Sequence, residues 1–176
     1  MKRLAAFGGA LLMAAACGTD GPTTPTNTNT GPIVFTAQLS AGNEVPPVTN
    51  AEANGRGMAT ITFNVTRNPA TGAVTGGGSA TFAAQLAGFP AGTVVRMAHI
   101  HTGAAGVAGP ILVDTLLAPA SPVTLDANGA GTLNLTNGTL TQVDATSIAA
   151  NPGGFYFNVH TAVNPAGAVR GQLVRQ

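Results

Sequence analysis

Apolar and polar residues alternate with a period of two through most of the chain after residue 32, a pattern typical of β-strands that are buried on one face. The clearest case is 57–67, where Ala59, Ile61, Phe63 and Val65 share one face and mainly threonines lie between them. Further strands are predicted at 33–39, 74–86, 97–102, 110–117, 123–125, 130–135, 155–161 and 168–174. Short strands separated by turn signals predict an all-β, single-domain β-sandwich with Greek-key connections.

Two connections carry specific signals. The turn sequence DANG at 126–129 predicts that 123–125 and 130–135 pair as a hairpin. Residues 139–150 form the one predicted helix, with Thr141 as its N-cap and with Val143 and Ile148 anchoring it to the core. The expected fold is therefore all-β with one short helix.

The N-terminal residues are typical of an exported protein. Two bases are followed by a short apolar run that ends in three alanines before Cys17, which resembles a bacterial lipoprotein signal. We predict a signal peptide at 1–16, lipid attachment at Cys17, and a tether at 17–32 that is rich in Thr, Asn, Pro and Gly. The folded domain is 33–176, held to a membrane by the lipid. Gly18 favours an outer membrane if the host has one, because it is not the Asp that retains many such lipoproteins in the inner membrane.

Charge is scarce, which excludes one class of partner. After Cys17 the chain has five arginines and six acids, a net charge near −1 without any basic stripe. Nucleic acid is therefore not an expected partner. Since a single cysteine cannot form an intramolecular disulfide, burial of apolar side chains must stabilise the domain.

All three histidines fall on strands, on the face opposite the apolar side chains. Met97, His99 and His101 share one face of their strand, and His160 lies on the more polar face of 155–161. Both strands end in His-Thr followed by a glycine-containing turn. This weak internal repeat makes a shared histidine cluster geometrically feasible.

Four motifs, in this order and spacing, resemble the CHRD family, the domain named for its repeats in chordin. They are LSAGNEVPPV at 39–48, AHIHTG at 98–103, FNVHT at 157–161 and RGQL at 170–173. One departure is Ala168, where the family pattern often carries an acid. The resemblance implies an extracytoplasmic all-β module without established catalytic activity, acting as a binding or surface-structural domain whose ligand is unknown.

Two interpretations of the histidines remain open. His99, His101 and His160 could form a three-ligand site for copper or zinc, with the Met97 thioether as a further soft donor. The arrangement is similar to Cu/Zn superoxide dismutase, although that enzyme uses more histidines and an acid than this chain offers in matching positions. Alternatively, the rings bond backbone or carboxylate groups and lock the hairpins. No cofactor is certain from sequence.

Glu44 and Arg170 are the charged residues within the matched motifs. In a domain so poor in charge they are expected either to form a buried structural pair or to line a ligand pocket. The sequence contains no Ser-His-Asp order, phosphate loop or carboxylate pair that would indicate catalysis. We therefore expect a binding module and not an enzyme.

Overall fold

The computed structural model describes residues 30–176. The predicted signal peptide, the lipid-attachment residue Cys17 and the tether up to residue 29 lie outside this part and stay predictions. The strands are β1 (Ile33–Ser40), β2 (Arg56–Arg67), β3 (Val74–Ala87), β4 (Val94–Thr102), β5 (Ile111–Asp114), β6 (Val123–Thr124), β7 (Gly131–Leu140), β8 (Phe155–Thr161), β9 (Val169–Gln172) and β10 (Val174–Arg175). The α-helix α1 is Gln142–Ala150, and two 3₁₀ turns cover Ala41–Asn43 and Pro152–Gly154.

The strands form one antiparallel sheet in the order β5-β4-β8-β9-β1-β2-β3-β7, with β6 added beside β4 and β10 beside β1. The sheet curls until its two ends approach each other. There the Asn137 side chain on β7 donates a hydrogen bond to the backbone carbonyl of Asp114 at the end of β5, with an N···O distance of 2.6 Å. The predicted all-β fold with one short helix is confirmed, as a sandwich-like shape made from a single nearly closed sheet.

The core lies inside this curled sheet. Phe82 on β3 stacks on Phe157 on β8, with ring centroids 5.7 Å apart, and so joins the two halves of the sheet. Phe35 and Phe63 form a second aromatic pair at 5.0 Å between the neighbouring strands β1 and β2. All four rings are buried, as are Ala59 and Ile61, so the predicted inward face of β2 is correct.

Three local predictions needed correction. The predicted hairpin does not form as a strand pair, because β6 pairs with β4 and β7 pairs with β3. The predicted strand 110–117 ends at Asp114, whose carboxylate accepts the Leu116 amide while Leu116 adopts a φ of 65°. The helix begins after β7 ends, with Thr141 as its N-cap as predicted and Ile148 buried. The expectation that Val143 anchors the helix was wrong, because its side chain is 73% exposed.

No helix within residues 30–176 has the length and apolar character needed to span a membrane.

Candidate metal centre

Strand register brings the three histidines together. In the β4–β8 pair, Met97 lies opposite His160, His99 opposite Asn158, and His101 opposite Tyr156. Directly opposed residues in a sheet share a face, so every histidine projects from the same side. This is the side away from the apolar core, where Ala98, Ile100, Phe157 and Val159 are fully buried.

The three imidazoles converge in a compact, buried cluster. One nitrogen from each of His99, His101 and His160 lies within 4.8 Å of the other two. The closest pair is His99 Nδ1 and His160 Nε2, 3.2 Å apart. Two nitrogens each about 2.0–2.1 Å from one tetrahedral ion would stand roughly 3.3 Å apart, so this separation suits a shared metal and the third ring needs a modest movement.

The other nitrogen of two rings is fixed by a loop carbonyl. His101 Nδ1 lies 3.0 Å from the Gly109 carbonyl oxygen, and His160 Nδ1 lies 3.1 Å from that of Pro165. Since a carbonyl can only accept, we infer that both Nδ1 atoms carry the proton and both Nε2 atoms present a lone pair. His101 Nε2 is buried without any hydrogen-bond partner among the described residues.

His99 has its outer partner in Asp114, whose carboxylate oxygen is 3.7 Å from His99 Nε2. A proton on Nε2 faces this carboxylate but leaves the lone pairs of His99 Nδ1 and His160 Nε2 opposed at 3.2 Å. A proton on His99 Nδ1 is instead donated to His160 Nε2 as a hydrogen bond, but the lone pair of His99 Nε2 then faces the carboxylate. When the proton is on His99 Nε2, a cation bound between His99 Nδ1 and His160 Nε2 would remove the repulsion between their lone pairs.

Burial keeps these rings neutral. Loss of hydration lowers the pKa of His99, His101 and His160. The effect is largest for His160, where burial, reinforced by the neighbouring His99, lowers the pKa to about 4. Neutral imidazole is the form that binds metal ions.

Around this cluster lie residues that the sequence did not assign to it. The Tyr156 ring stacks on His101 with centroids 4.9 Å apart and planes 8° from parallel. Its hydroxyl accepts the Gly109 amide at 3.2 Å, so it also holds the loop that bonds His101. Asp114 was missed because its position beside His99 depends on the β4–β5 pairing. Met97, which the sequence analysis did assign to the cluster, borders it, half-buried and opposite His160.

Glu44 and Arg170 lie beside this centre, on the far side of Tyr156. The Arg170 guanidinium carbon is 4.1 Å from the centroid of the Tyr156 ring. Both charged residues are buried and both line one cleft, yet no ion pair within 4 Å joins them in the described part of the chain. The structure thus places the two residues together without the direct contact of a structural salt bridge.

No curated protein shows a significant match to the chain. The model of the CHRD domain matches residues 35–173, which include nearly the whole folded part and all three histidines. The four motifs lie on β1, β4, β8 and β9 and on the segments that directly follow these strands. The chain therefore belongs to the CHRD domain family.

Proposed function

We propose that this protein is an extracytoplasmic CHRD-domain binding module that holds a copper or zinc ion with His99, His101 and His160. The observation that carries the proposal is the orientation of the rings. Three buried nitrogens converge, while the opposite nitrogen of each ring faces Gly109, Pro165 or Asp114. Such outer partners orient the histidine ligands of metal sites.

The alternative, that the histidines only lock loops, accounts for half of this arrangement. It explains the bonds from His101 and His160 to backbone carbonyls. It also accommodates a hydrogen bond between His99 Nδ1 and His160 Nε2 at 3.2 Å. It does not explain why His101 Nε2 is buried without a hydrogen-bond partner among the described residues. A buried polar atom without a partner costs about 1–3 kcal/mol, so an ion that engages it offers a physical reason for the cluster.

Imidazole suits both copper and zinc. A three-histidine set leaves a coordination position open, and Met97 borders the site with a thioether that favours Cu(I). We propose binding alone, because the convergence of the three rings supports ion binding directly and the motifs of the sequence indicate no catalytic set.

Membrane attachment belongs to the same proposal. The N-terminal signal, Cys17 and the polar tether support export and lipid anchoring at the cell envelope, with the outer membrane favoured where one exists. The anchored domain would then meet metal ions or a further, unidentified ligand outside the cytoplasm.

The test is metal titration of chelator-treated protein with Zn(II), Cu(II) and, anaerobically, Cu(I). We expect one ion per chain and a rise in melting temperature with the bound metal. His101→Ala and His160→Ala should each weaken binding more than Asp114→Asn, which keeps an acceptor but removes a charge and should cost about tenfold. Met97→Leu should weaken Cu(I) alone.

Met58→Leu is the matched control, because Met58 is an exposed methionine on β2. It should leave all three affinities unchanged. Wild-type protein that binds no metal, together with alanine variants that lose about 1–3 kcal/mol of stability, would show that the histidines are structural.

A further inference from the structure

A cleft of about 400 Å³ lies beside the histidine cluster, between the segment after β1 and the strand β9. This volume falls within the range of small-molecule sites. Its lining is largely apolar or backbone, with two charged side chains. The wall consists of Gly42, Asn43, Glu44, Val45, Pro47, Ala105, Gly106, Arg170, Gly171 and Gln172.

Among the polar residues of the wall, two are already committed to the fold. Asn43 donates its side-chain amide to the Arg170 carbonyl at 3.1 Å. Gln172 donates to the carbonyls of Gly103, Gly153 and Phe155 at 2.8–3.2 Å. The side chains of Asn43 and Gln172 therefore shape the cleft, and their amide groups already donate hydrogen bonds within the protein.

The two charged residues are buried but have no such partners. Arg170 is 2% exposed, and its Nη2 has no hydrogen-bond partner in the part of the chain described. Glu44 is 6% exposed, and its Oε1 is equally unpartnered. A guanidinium is always charged, and leaving it buried without an acceptor is strongly unfavourable. The guanidinium lies over the Tyr156 ring, a cation–π contact that does not satisfy its N–H donors.

Arg170 is the charged group that acts on Glu44. Asn158 on β8 is a polar neighbour of Glu44, because the side chains of Glu44 and Asn158 both lie within 3 Å of where a Cβ would stand on Gly167. Burial raises the pKa of Glu44 to about 7, against the opposing effect of Arg170. Near neutral pH the Glu44 carboxyl is therefore only partly ionised, and the cleft has a surplus of positive charge.

We propose that this cleft binds a small organic carboxylate, with its oxygens on the Arg170 guanidinium and its apolar part against Val45, Pro47 and Ala105. The planar fork of arginine matches a carboxylate by two parallel hydrogen bonds. A protonated Glu44 can donate to the same ligand. Free carboxylic acids and the C-terminus of a peptide share this chemistry.

Binding is tested by isothermal titration on metal-free protein, so that the result is independent of the histidine site. The probes are benzoate and hexanoate for free acids, N-acetyl-Ala-Val for a peptide C-terminus, and benzamide as a neutral control. Carboxylates should bind and benzamide should not. Preference for the dipeptide over both simple acids would identify a chain terminus as the source, and the opposite preference a free acid.

Arg170→Gln should weaken carboxylate binding at least about tenfold, as expected for a lost charge-assisted hydrogen bond. Arg56→Gln, an exposed arginine on β2, is the matched control and should bind as wild type does. If Arg170→Gln fails to fold, Ala105→Trp tests the same site, because this exposed residue of the wall can fill the cleft without touching the buried charges.

Glu44→Gln supplies a second readout. Wild-type protein should bind benzoate more weakly at pH 8 than at pH 6, because an ionised Glu44 repels the ligand, and the variant should lose this difference. Equal binding of benzoate and benzamide, or no binding of any carboxylate to folded wild-type protein, would overturn the proposal. Metal binding at the histidines would be unaffected by either outcome.

Discussion

Replacing Glu44 by Gln should stabilise the protein at high pH. The folded-state pKa of Glu44 is about 7 against an ordinary value of 4.5, because burial disfavours the charged carboxylate. Between these values the folded state holds a proton that the unfolded state has released. Stability is therefore lost as the pH rises from about 4.5 to 7.

The size of this loss follows from the pKa difference. At about 1.4 kcal/mol for each pH unit, a wild-type loss of at most about 3–4 kcal/mol accumulates across this window. Gln has no proton to release, so the stability of Glu44→Gln relative to wild type should rise by up to this amount between pH 4 and pH 8. Urea unfolding of both metal-free proteins at several pH values measures the difference.

The difference between the two proteins is the informative quantity, because His160 acts in the opposite direction. Its lowered pKa means that its contribution is lost as the pH falls from about 6.5 towards 4, in both proteins alike. Glu52→Gln is the matched control. Glu52 is also buried, but its Oε2 accepts bonds from Thr161 and Asn164. Gln keeps one oxygen for these bonds but places its NH2 group at the buried, unpartnered position of Oε1, so this variant should lose about 1–3 kcal/mol at neutral pH. A Glu44→Gln difference that stays flat from pH 4 to pH 8 would refute the argument that burial dominates at Glu44.

Two further predictions concern the core and the anchor. Phe63→Ala and Phe157→Ala should each cost about 3–5 kcal/mol in denaturant unfolding of residues 33–174, because both rings are fully buried in the curled sheet. Near-neutral effects would mean that these rings do not support the packing. Cys17→Ser should move the exported protein from the membrane fraction to a soluble or unprocessed form, and a membrane pool that still requires detergent would contradict lipid attachment.

The sequence by itself determined the elements and their inward faces. Alternation with a period of two located the long strands, because successive side chains of a strand point to opposite faces and every second residue therefore faces the core. Ala59, Ile61 and Phe63 were assigned inward for this reason and are buried. The helix cap at Thr141 was equally local, since a threonine hydroxyl accepts an amide only three residues away.

The pattern of residues along the chain did not predict which strands pair with each other. The turn at 126–129 is a good hairpin signal, yet β6 pairs with β4 and β7 pairs with β3. Val143 showed the same limit, as an apolar residue on a short helix has no fixed direction until the helix docks.

For the candidate site, too, sequence and tertiary structure established different things. Sequence identified the histidines, Glu44 and Arg170 by type and motif. Tertiary structure alone decided that the antiparallel register of β4 and β8 brings His160 within 3.2 Å of His99. It alone decided that loop carbonyls orient the rings, and that Glu44 and Arg170 face a cleft without touching each other. These outcomes depend on contacts between residues far apart in the chain, which no periodicity along it encodes.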